Sequence, residues 1–225
     1  MEWLSKDSSC EAFVDNLESN DQRRGIKIAS EIESFNMTKQ QLRIIFKEKR
    51  KSLSLQEIGK FNDLIFNNFK KLELPFINCV HTYLASLKLC EPDTARIIRH
   101  LQLKNPFLKI GVPKIDIRSG ILMNYYFDKG VEMIQNTFGI EEPKKGDLIP
   151  ETEIDLILIP MLAFDKKGNR VGFGKGYYDK FLSHCKPAAL KIGLSFFEPV
   201  DKIEDIITVD IPLDFCVTPK KNYLF

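Results

Sequence analysis

The chain has 225 residues, a net charge of +2, a hydrophobic fraction of 44% and a charged fraction of 28%. These values are typical of one soluble globular domain with a substantial core. The nearly neutral charge argues against a surface field that holds nucleic acid. No apolar run reaches the ~18 residues that a membrane span needs. We therefore expect neither a nucleic acid nor a membrane among its partners.

The cysteines and the N-terminal segment both bear on the cellular compartment. The five cysteines are far apart and odd in number, which favours isolated thiols in a reducing compartment over a disulfide framework. Residues 1–36 hold more acidic than basic side chains, which disfavours a transit peptide. We expect a cytoplasmic protein whose residues 1–36 form a mobile N-terminal extension. The alternative for this extension is a short amphipathic helix containing Trp3, Leu4, Phe13, Val14 and Leu17.

Two capping patterns predict consecutive helices after residue 37. Thr38 with Gln41, and Ser54 with Glu57, match the capping box, in which each side chain satisfies a free backbone N–H of the first turn. Apolar residues follow each box at helical spacing. In the first helix these are Leu42, Ile45 and Phe46, and in the second Ile58, Phe61, Leu64, Ile65 and Phe69.

Apolar runs in the rest of the chain predict strands that alternate with helices. The predicted strands are 79–84, 108–112, which Pro113 should end, 121–127, 154–159 and 189–194, with a helix at about 93–103. Residues 154–159 are apolar at nearly every position, as in a strand that is covered on both faces of a parallel sheet. The alternation predicts a layered α/β domain.

The most informative segment is IDLILIPMLAFDKKGNRVGFGKGYYDKFL, from Ile154 to Leu182. After the buried strand, Gly172, Gly174 and Gly176 precede a helix-compatible run that begins with Tyr177 and Tyr178. A strand, a glycine loop and a helix in this order present backbone N–H groups to an anion. Arg170 and Lys175 could neutralise phosphate charge there. The spacing matches neither a Walker A loop nor the dinucleotide pattern, and a tight surface turn is the alternative.

The stretch LAFDKKGNRVGFGKGYYDKFL closely resembles the signature of 5-formyltetrahydrofolate cyclo-ligases, roughly L-x-F-D-x-x-G-x-R-x-G-x-G-x-G-Y-Y-D. Further family features appear in the same order along the chain. They are Lys39, Leu42 and Arg43; Arg50, Leu53 and Ser54; Glu91, Asp93 and Thr94; FGIEEP from Phe138 to Pro143; and Asp210 with Asp214. The resemblance covers about Met37 to Thr218. One departure is Phe173, where the family most often has arginine.

The resemblance implies a single domain over residues 37–225. Its expected architecture is α/β: three layers, α/β/α, around a mostly parallel sheet, similar to the ribose-phosphate isomerase and CoA-transferase-like fold. The implied reaction converts 5-formyltetrahydrofolate and ATP to 5,10-methenyltetrahydrofolate, ADP and phosphate, with Mg²⁺ as cofactor. We expect folate and ATP to be its small-molecule partners and the protein to be a monomer.

The resemblance also implies roles for individual residues. Lys175 and Arg170 are the expected catalytic residues. The expected ATP-binding residues are Lys39, Arg43, Arg170, Gly172, Gly174, Lys175, Gly176, Tyr177 and Tyr178. The expected substrate-binding residues are Leu84, Glu91, Phe173, Gly174, Lys175, Gly176 and Tyr177. The expected magnesium ligands are Asp179 and Asp210, directly or through water.

Several of these residues also have a purely structural explanation. The spacing of Lys39 and Arg43 puts both on one helical face, which can equally be a solvated basic face. Asp179 can be an ordinary acid of a first helical turn, Glu91 a helix-start acid, and one of the tyrosines a core residue. At the level of the whole protein, the alternatives are a non-catalytic relative that binds folate or nucleotide, and a sugar-phosphate isomerase that needs no ATP.

We expect residues 37–225 alone to fold and to retain most of the activity, because every family motif lies within them and polar segments such as 1–36 bury little surface. Thermal melting and initial rates of the full and shortened proteins measure this. A shortened protein that precipitates, or that melts many degrees lower, would show that the arm belongs to the fold.

Overall fold

The computed structural model describes residues 37–116, 118–128, 130–136 and 141–225. Residues 1–36, and Phe138 to Ile140 of the FGIEEP motif, lie outside the described residues. The helices are α1 (Lys39–Lys51), α2 (Leu55–Phe69), α3 (Ala95–Lys104) and α4 (Tyr177–Leu182), and a short 3-10 helix spans Glu151–Glu153. The strands are β1 (Cys79–His81), β2 (Lys109–Asp116), β3 (Ile121–Tyr126), β4 (Met133–Gln135), β5 (Glu141–Pro143), β6 (Leu156–Ile159), β7 (Ala163–Phe164), β8 (Arg170–Val171), β9 (Leu190–Leu194), β10 (Phe215–Val217) and β11 (Asn222–Leu224).

The first two helices begin as the capping patterns predict. Thr38 accepts a hydrogen bond from the backbone N–H of Gln41, whose side chain accepts one from the backbone N–H of Thr38. Ser54 and Glu57 form the same reciprocal pair. Each pair satisfies two backbone donors that the helix leaves free. The starts of α1 and α2 are therefore encoded locally in the sequence.

Seven strands of the described chain form one sheet in the order β11-β10-β9-β6-β1-β2-β3. The strands from β10 to β2 are mutually parallel, whereas the edge strands β11 and β3 are antiparallel to their neighbours. β6 lies at the centre, and all four of its residues are fully buried, as a strand covered on both faces requires. The predicted mostly parallel α/β architecture is confirmed.

Alternate residues of the central strands pack into two separate apolar cores, one on each face of the sheet. Val80, Leu156 and Leu158 pack with residues of α2 and α3 on one face of the sheet. Cys79 and Ile157 pack on the other face with residues of α4. The helices on the two faces complete the predicted three layers. A third apolar cluster holds α1 against β7, β8 and residues 200–203.

Pro113 does not end a strand, and that prediction is wrong. β2 continues to Asp116, and Pro113 pairs with Asn124 of β3. Phe127 donates to the carbonyl of Ile110, so alternate residues from Ile110 onward direct their hydrogen bonds toward β3. Pro113 falls on the opposite side, where β1 has already ended at His81, and its missing N–H costs no ladder bond. β1 itself is shorter than the predicted 79–84.

Two further features concern the described residues only. None of their helices is both long enough and apolar enough to cross a membrane. The four described cysteines are free thiols. Cys79 and Cys216 are buried, which fits packing residues rather than reactive ones, and burial raises the pKa of the Cys79 thiol to about 11.

We expect Leu158→Ala to lower the free energy of unfolding by about 2–5 kcal/mol, because Leu158 is fully buried in the central strand and its removal leaves a cavity. Leu103→Ala is the matched control, since Leu103 is 80% exposed and its loss should change stability by less than about 0.5 kcal/mol. Urea unfolding of the two variants measures the difference. Equal effects would contradict the assignment of β6 to the centre of the core.

Candidate active site

The expected site residues gather at the carboxyl edge of the parallel sheet, where ligands of open α/β sheets bind. β1 leads directly into the segment that contains Leu84 and Glu91. β6 leads into the hairpin of β7 and β8, which pairs Ala163 with Val171. The glycine loop follows β8 and ends at α4.

The conformation of the glycine loop requires glycine at two positions. Gly174 has φ +96° and Gly176 has φ +69°, a backbone region that side chains with a Cβ rarely adopt. A Cβ on Gly174 would also lie 3.2 Å from Nε of Arg43. Arg43 donates from Nε to the carbonyl of Gly172 over 3.0 Å. The Arg43 guanidinium therefore packs directly against the loop.

A largely buried ion pair closes the loop. Nη2 of Arg170 lies 2.7 Å from Oδ1 of Asp179, and the Arg170 side chain is only 6% exposed. Arg170 begins β8, the strand just before the loop, and Asp179 lies in the first turn of α4 just after it. Burial lowers the pKa of Arg170, whereas the charges of Asp179 and Asp210 raise it. The pair thus fixes the two ends of the loop relative to each other.

A second ion pair lies beside the first. Nζ of Lys39, at the start of α1, contacts Oδ2 of Asp210, and both side chains are mostly buried. Oδ2 of Asp210 also accepts a hydrogen bond from the backbone N–H of Ile207 over 2.7 Å. The backbone N–H of Ile211 lies 3.2 Å from Oδ1 of Asp179, which joins the two ion pairs into one corner.

The two ion pairs therefore join expected phosphate-binding cations to the expected magnesium ligands. Lys175 is exposed within the loop, and no hydrogen bond or ion pair joins it to another described residue. Phe173 packs against the apolar cluster of α1, which includes Leu42, Ile45 and Val171. Phe173 therefore has a packing role here, and no polar group of its own reaches the loop.

The two tyrosines have different environments. Tyr178 places its hydroxyl 3.1 Å from Nε2 of the fully buried His81, whose Nδ1 lies 2.8 Å from Oδ1 of Asn124. Burial lowers the pKa of His81 to about 4, so the ring is neutral at pH 7. The neutral ring donates from Nδ1 to Asn124 and accepts at Nε2 from the Tyr178 hydroxyl. Tyr177 is half-buried at the start of α4.

Glu91 lies in the segment after β1. Its Oε2 accepts a hydrogen bond from the backbone N–H of Ser86 over 3.0 Å. Burial raises the pKa of Glu91, and the Ser86 bond and the charge of Arg50 oppose that rise. Burial raises the pKa of Tyr178, and the charge of Glu91 adds to that rise. Leu84 is half-buried in the same segment, and no polar contact ties it to the loop among the described residues.

The corner of the two ion pairs offers oxygen ligands, the kind that a hard cation prefers. Asp179 and Asp210 offer carboxylate oxygens beside the glycine loop, and Mg²⁺ commonly takes only one or two protein carboxylates with waters and substrate phosphates. No group of three or more His, Cys, Asp or Glu side chains that could hold a metal ion occurs among the described residues. The corner therefore fits a metal that is shared with a bound phosphate, not an all-protein cage.

The sequence reasoning missed the residues behind the site. His81 and Asn124 join α4 to the sheet, and Arg50 is buried with Nη2 donating to the carbonyl of Met161. His81 carries no spacing signal, because its partners are 43 and 97 residues away. Arg50 lies in a basic last turn of α1 with Lys49 and Lys51, a pattern that normally marks an exposed helix end.

Comparisons with known proteins identify relatives of this chain. The 5-formyltetrahydrofolate cyclo-ligase of Haemophilus influenzae is 33% identical over 128 residues, which are 55% of this chain and 67% of that protein. The probable 5-formyltetrahydrofolate cyclo-ligase of Schizosaccharomyces pombe is 30% identical over 173 residues, which are 60% of this chain and 84% of that protein.

Solved structures of two 5,10-methenyltetrahydrofolate synthetases share the fold. The structure from Mycoplasma pneumoniae has a TM-score of 0.64 at 22% identity and covers 81% of this chain and 99% of its own. The structure from Aquifex aeolicus has a TM-score of 0.65 at 29% identity, with coverages of 84% and 93%.

A family model described as the 5-formyltetrahydrofolate cyclo-ligase family matches residues 36–214, which include both ion pairs, the glycine loop and Glu91. This match spans most of the chain. The chain belongs to the 5-formyltetrahydrofolate cyclo-ligase family.

Proposed function

We propose that the protein converts 5-formyltetrahydrofolate and ATP to 5,10-methenyltetrahydrofolate, ADP and phosphate, by way of phosphorylation of the formyl oxygen. Family membership supports the reaction. The single structural observation that carries the proposal is the glycine loop, which has Arg43 packed against it and Lys39 and Arg170 beside it. This cluster of cations and backbone N–H groups suits a nucleoside triphosphate.

The reaction needs activation because a formamide oxygen is a poor leaving group. Attack of the formyl oxygen on the terminal phosphorus of ATP forms an O–P bond and releases ADP. Nitrogen 10 of the folate then attacks the formyl carbon and loses its proton, and the oxygen departs with the phosphate. The protein must hold both substrates in line and stabilise the negative charge that spreads over the phosphoryl oxygens.

The proposed nucleotide-binding residues act through charge, loop amides and ring contact. Lys39, Arg43 and Arg170 neutralise phosphate charge, and Lys175 reaches the transferring phosphoryl group from the exposed loop. The remaining nucleotide contacts come from Gly172, Gly174, Gly176, Tyr177 and Tyr178. Arg170 and Lys175 are the proposed catalytic residues. Because Tyr178 is held by His81, its position is fixed before the ligand binds.

The proposed folate subsite lies between the loop and the segment after β1. Glu91 accepts hydrogen bonds from the amino and ring N–H groups of the pterin, which a carboxylate can do with both oxygens. Leu84 and Phe173 supply apolar surface, and Gly174, Lys175, Gly176 and Tyr177 face the reacting end. This placement puts the formyl group next to the phosphate-binding loop.

Asp179 and Asp210 would hold Mg²⁺, which supplies charge stabilisation to the phosphates when it is bound. In the structure these carboxylates are paired with Arg170 and Lys39. Binding of phosphate draws Arg170 and Lys39 away from the two acids. The same phosphate needs the positive charge of the metal that these acids would hold. We expect nucleotide and magnesium to bind together for this reason.

We also propose a monomeric, cytoplasmic enzyme that acts on small molecules alone. The free thiols of the described cysteines favour a reducing compartment.

The direct test of the proposed function is the formation of 5,10-methenyltetrahydrofolate, followed by its absorbance, from 5-formyltetrahydrofolate with and without ATP and Mg²⁺. We expect product only when both are present, with one ADP per product. Absence of product from a folded protein, or product formation without ATP, would refute the proposal.

Lys175→Ala should lower turnover by at least ~10-fold, equivalent to about 1.4 kcal/mol or more of transition-state stabilisation, because the amine is proposed to contact the transferring phosphoryl group. Lys167→Ala is the matched control, since Lys167 is an exposed lysine in the hairpin turn before the loop. Near-normal turnover of a folded Lys175→Ala protein would reject the role.

Asp179→Asn and Asp210→Asn should each raise the magnesium concentration needed for half-maximal rate, because an amide is a weaker ligand for a hard cation than a carboxylate. Asp201→Asn removes a half-buried acid that pairs with Lys166 away from the glycine loop and serves as the control. Magnesium titrations that match the wild type for both site variants would show that these acids do not bind the metal.

Phe173→Arg should tighten ATP binding or leave it unchanged, because Phe173 packs against the α1 cluster and contributes no polar group to the loop. Isothermal titration with a non-hydrolysable ATP analogue, together with initial rates, measures the effect. A severe loss of activity would show that the aromatic ring is itself required, and that this protein arranges its pocket differently from relatives with arginine.

A further inference from the structure

A line of buried polar side chains crosses the sheet and ends on α4. Oδ1 of Asn124, in β3, lies 2.8 Å from Nδ1 of His81, and Nε2 of His81 lies 3.1 Å from the hydroxyl of Tyr178. His81 is fully buried at the end of β1, and Asn124 is 1% exposed. Polar groups at this depth are costly unless each has a partner, so these hydrogen bonds hold the three side chains in place.

Gly111 leaves the space through which this line passes. β2 lies between β1 and β3 in the sheet, and its Gly111 is in register with His81. The side chain of Asn124 therefore has to pass over the backbone of β2 to reach His81. A Cβ on Gly111 would lie 2.1 Å from Oδ1 of Asn124, far inside van der Waals contact. The φ angle of Gly111 is not in the left-handed region, so glycine is required here for space and not for backbone conformation.

The hydrogen bonds of this line have a fixed direction. Nδ2 of Asn124 donates over 3.4 Å to the carbonyl of Ile149, which can only accept. Oδ1 of Asn124 is therefore the atom that faces His81, and Nδ1 of the imidazole donates to it. The neutral ring carries only one N–H, so Nε2 accepts and the hydroxyl of Tyr178 donates. The proton of the Tyr178 hydroxyl is thus directed to His81 and is not available to a phosphate oxygen.

The ring of His81 also packs against α4. Its centroid lies 4.6 Å from that of Phe181 and 5.7 Å from that of Tyr178, with an edge-to-face arrangement for Tyr178. These two aromatic residues are three positions apart and so share a face of the helix. α4 has only six residues and begins after Gly176, which has no side chain to cap it. So short a helix depends on tertiary contacts of this kind for its position.

We propose that His81 is a positioning residue for the nucleotide subsite, which holds Tyr178 with its hydroxyl turned inward so that the tyrosine ring contacts the nucleotide. The inference rests on the proposed function, in which Tyr178 is a nucleotide contact. His81 acts through Tyr178 and does not touch the ligand, and Asn124 and Gly111 act through His81. A ring that is fixed before the ligand arrives loses less rotational freedom on binding, which favours affinity.

The test uses the full chain and breaks the line at three points. Tyr178→Phe removes the hydroxyl and keeps the ring, His81→Leu removes the acceptor, and Gly111→Ala displaces Asn124 without altering either residue. Thermal melting establishes which variants are folded, and Tyr178→Phe is the smallest change if the others fail to fold. His184→Leu is the matched control, because His184 is an exposed histidine just after α4.

The first readout is the affinity for a non-hydrolysable ATP analogue by isothermal titration, with KM for folate beside it. We expect the folded variants to bind the analogue about 5-fold more weakly, as for the loss of one hydrogen bond. KM for folate should change by less than about twofold. His81→Leu combined with Tyr178→Phe should bind no more weakly than His81→Leu alone, because both remove the same bond. His184→Leu should match the wild type.

The affinity distinguishes positioning from a merely structural role. A residue that only stabilises the fold changes the amount of folded protein and the apparent kcat, and it leaves the affinity of the folded fraction unchanged. Wild-type affinity in folded Tyr178→Phe and His81→Leu would therefore overturn the proposal.

The second readout is the tautomer of His81 from ¹⁵N NMR of protein labelled in its histidines. The chain has three histidines, so substitution of the other two assigns the signals of His81. We expect the proton on Nδ1 and an unprotonated Nε2 at pH 7. A proton on Nε2 would mean that His81 donates to Tyr178 and would overturn the proposed direction.

Tyr178→Ala separates this inference from the proposed function. It removes the ring and should weaken binding of the analogue by at least ~10-fold if the ring contacts the nucleotide. Unchanged affinity in folded Tyr178→Ala would overturn the nucleotide contact of Tyr178 itself. Weakened binding in Tyr178→Ala, combined with wild-type affinity in folded Tyr178→Phe and His81→Leu, would overturn the role of His81 alone.

Discussion

The ion pair between Arg170 and Asp179 is the interaction on which the rest of the site depends. It joins the strand before the glycine loop to the helix after it, so the loop amides are held at a fixed spacing. The same Asp179 oxygen lies within reach of the backbone beside Asp210, which holds Lys39 at the start of α1. Three elements that are distant in sequence therefore meet at one corner. The guanidinium of this pair is suited to binding phosphate, and its carboxylate is suited to binding a metal ion.

A different kind of interaction, a chain of buried polar groups, joins α4 to the sheet. Tyr178 is positioned by the neutral His81, which Asn124 holds in one tautomer. Glu91, in the segment after β1, accepts a hydrogen bond from the backbone N–H of Ser86. α1 supplies Lys39 to the corner of ion pairs at its first turn and the buried Arg50 at its last. Its apolar face packs in the third cluster.

The sequence predicts those parts of the fold whose interacting residues lie close together along the chain. The starts of α1 and α2 were predictable because Thr38 and Ser54 find their partners three residues away. β6 was predictable because a strand covered on both faces is apolar throughout. The continuation of β2 through Pro113 was not, since it depends on where β1 ends. Arg50 and His81 were missed as site residues because burial of a basic group is a property of the packed structure, whereas the glycine loop carries its own pattern.

In the proposed reaction the glycine loop presents ATP to the formyl oxygen of the folate. Turnover of 5-formyltetrahydrofolate that carries ¹⁸O in the formyl group, followed by mass spectrometry of the released phosphate, tests this step. We expect each phosphate to carry one labelled oxygen, because the formyl oxygen leaves with the transferred phosphoryl group. Unlabelled phosphate, with the label released as water, would show that the carbonyl reacts without being phosphorylated.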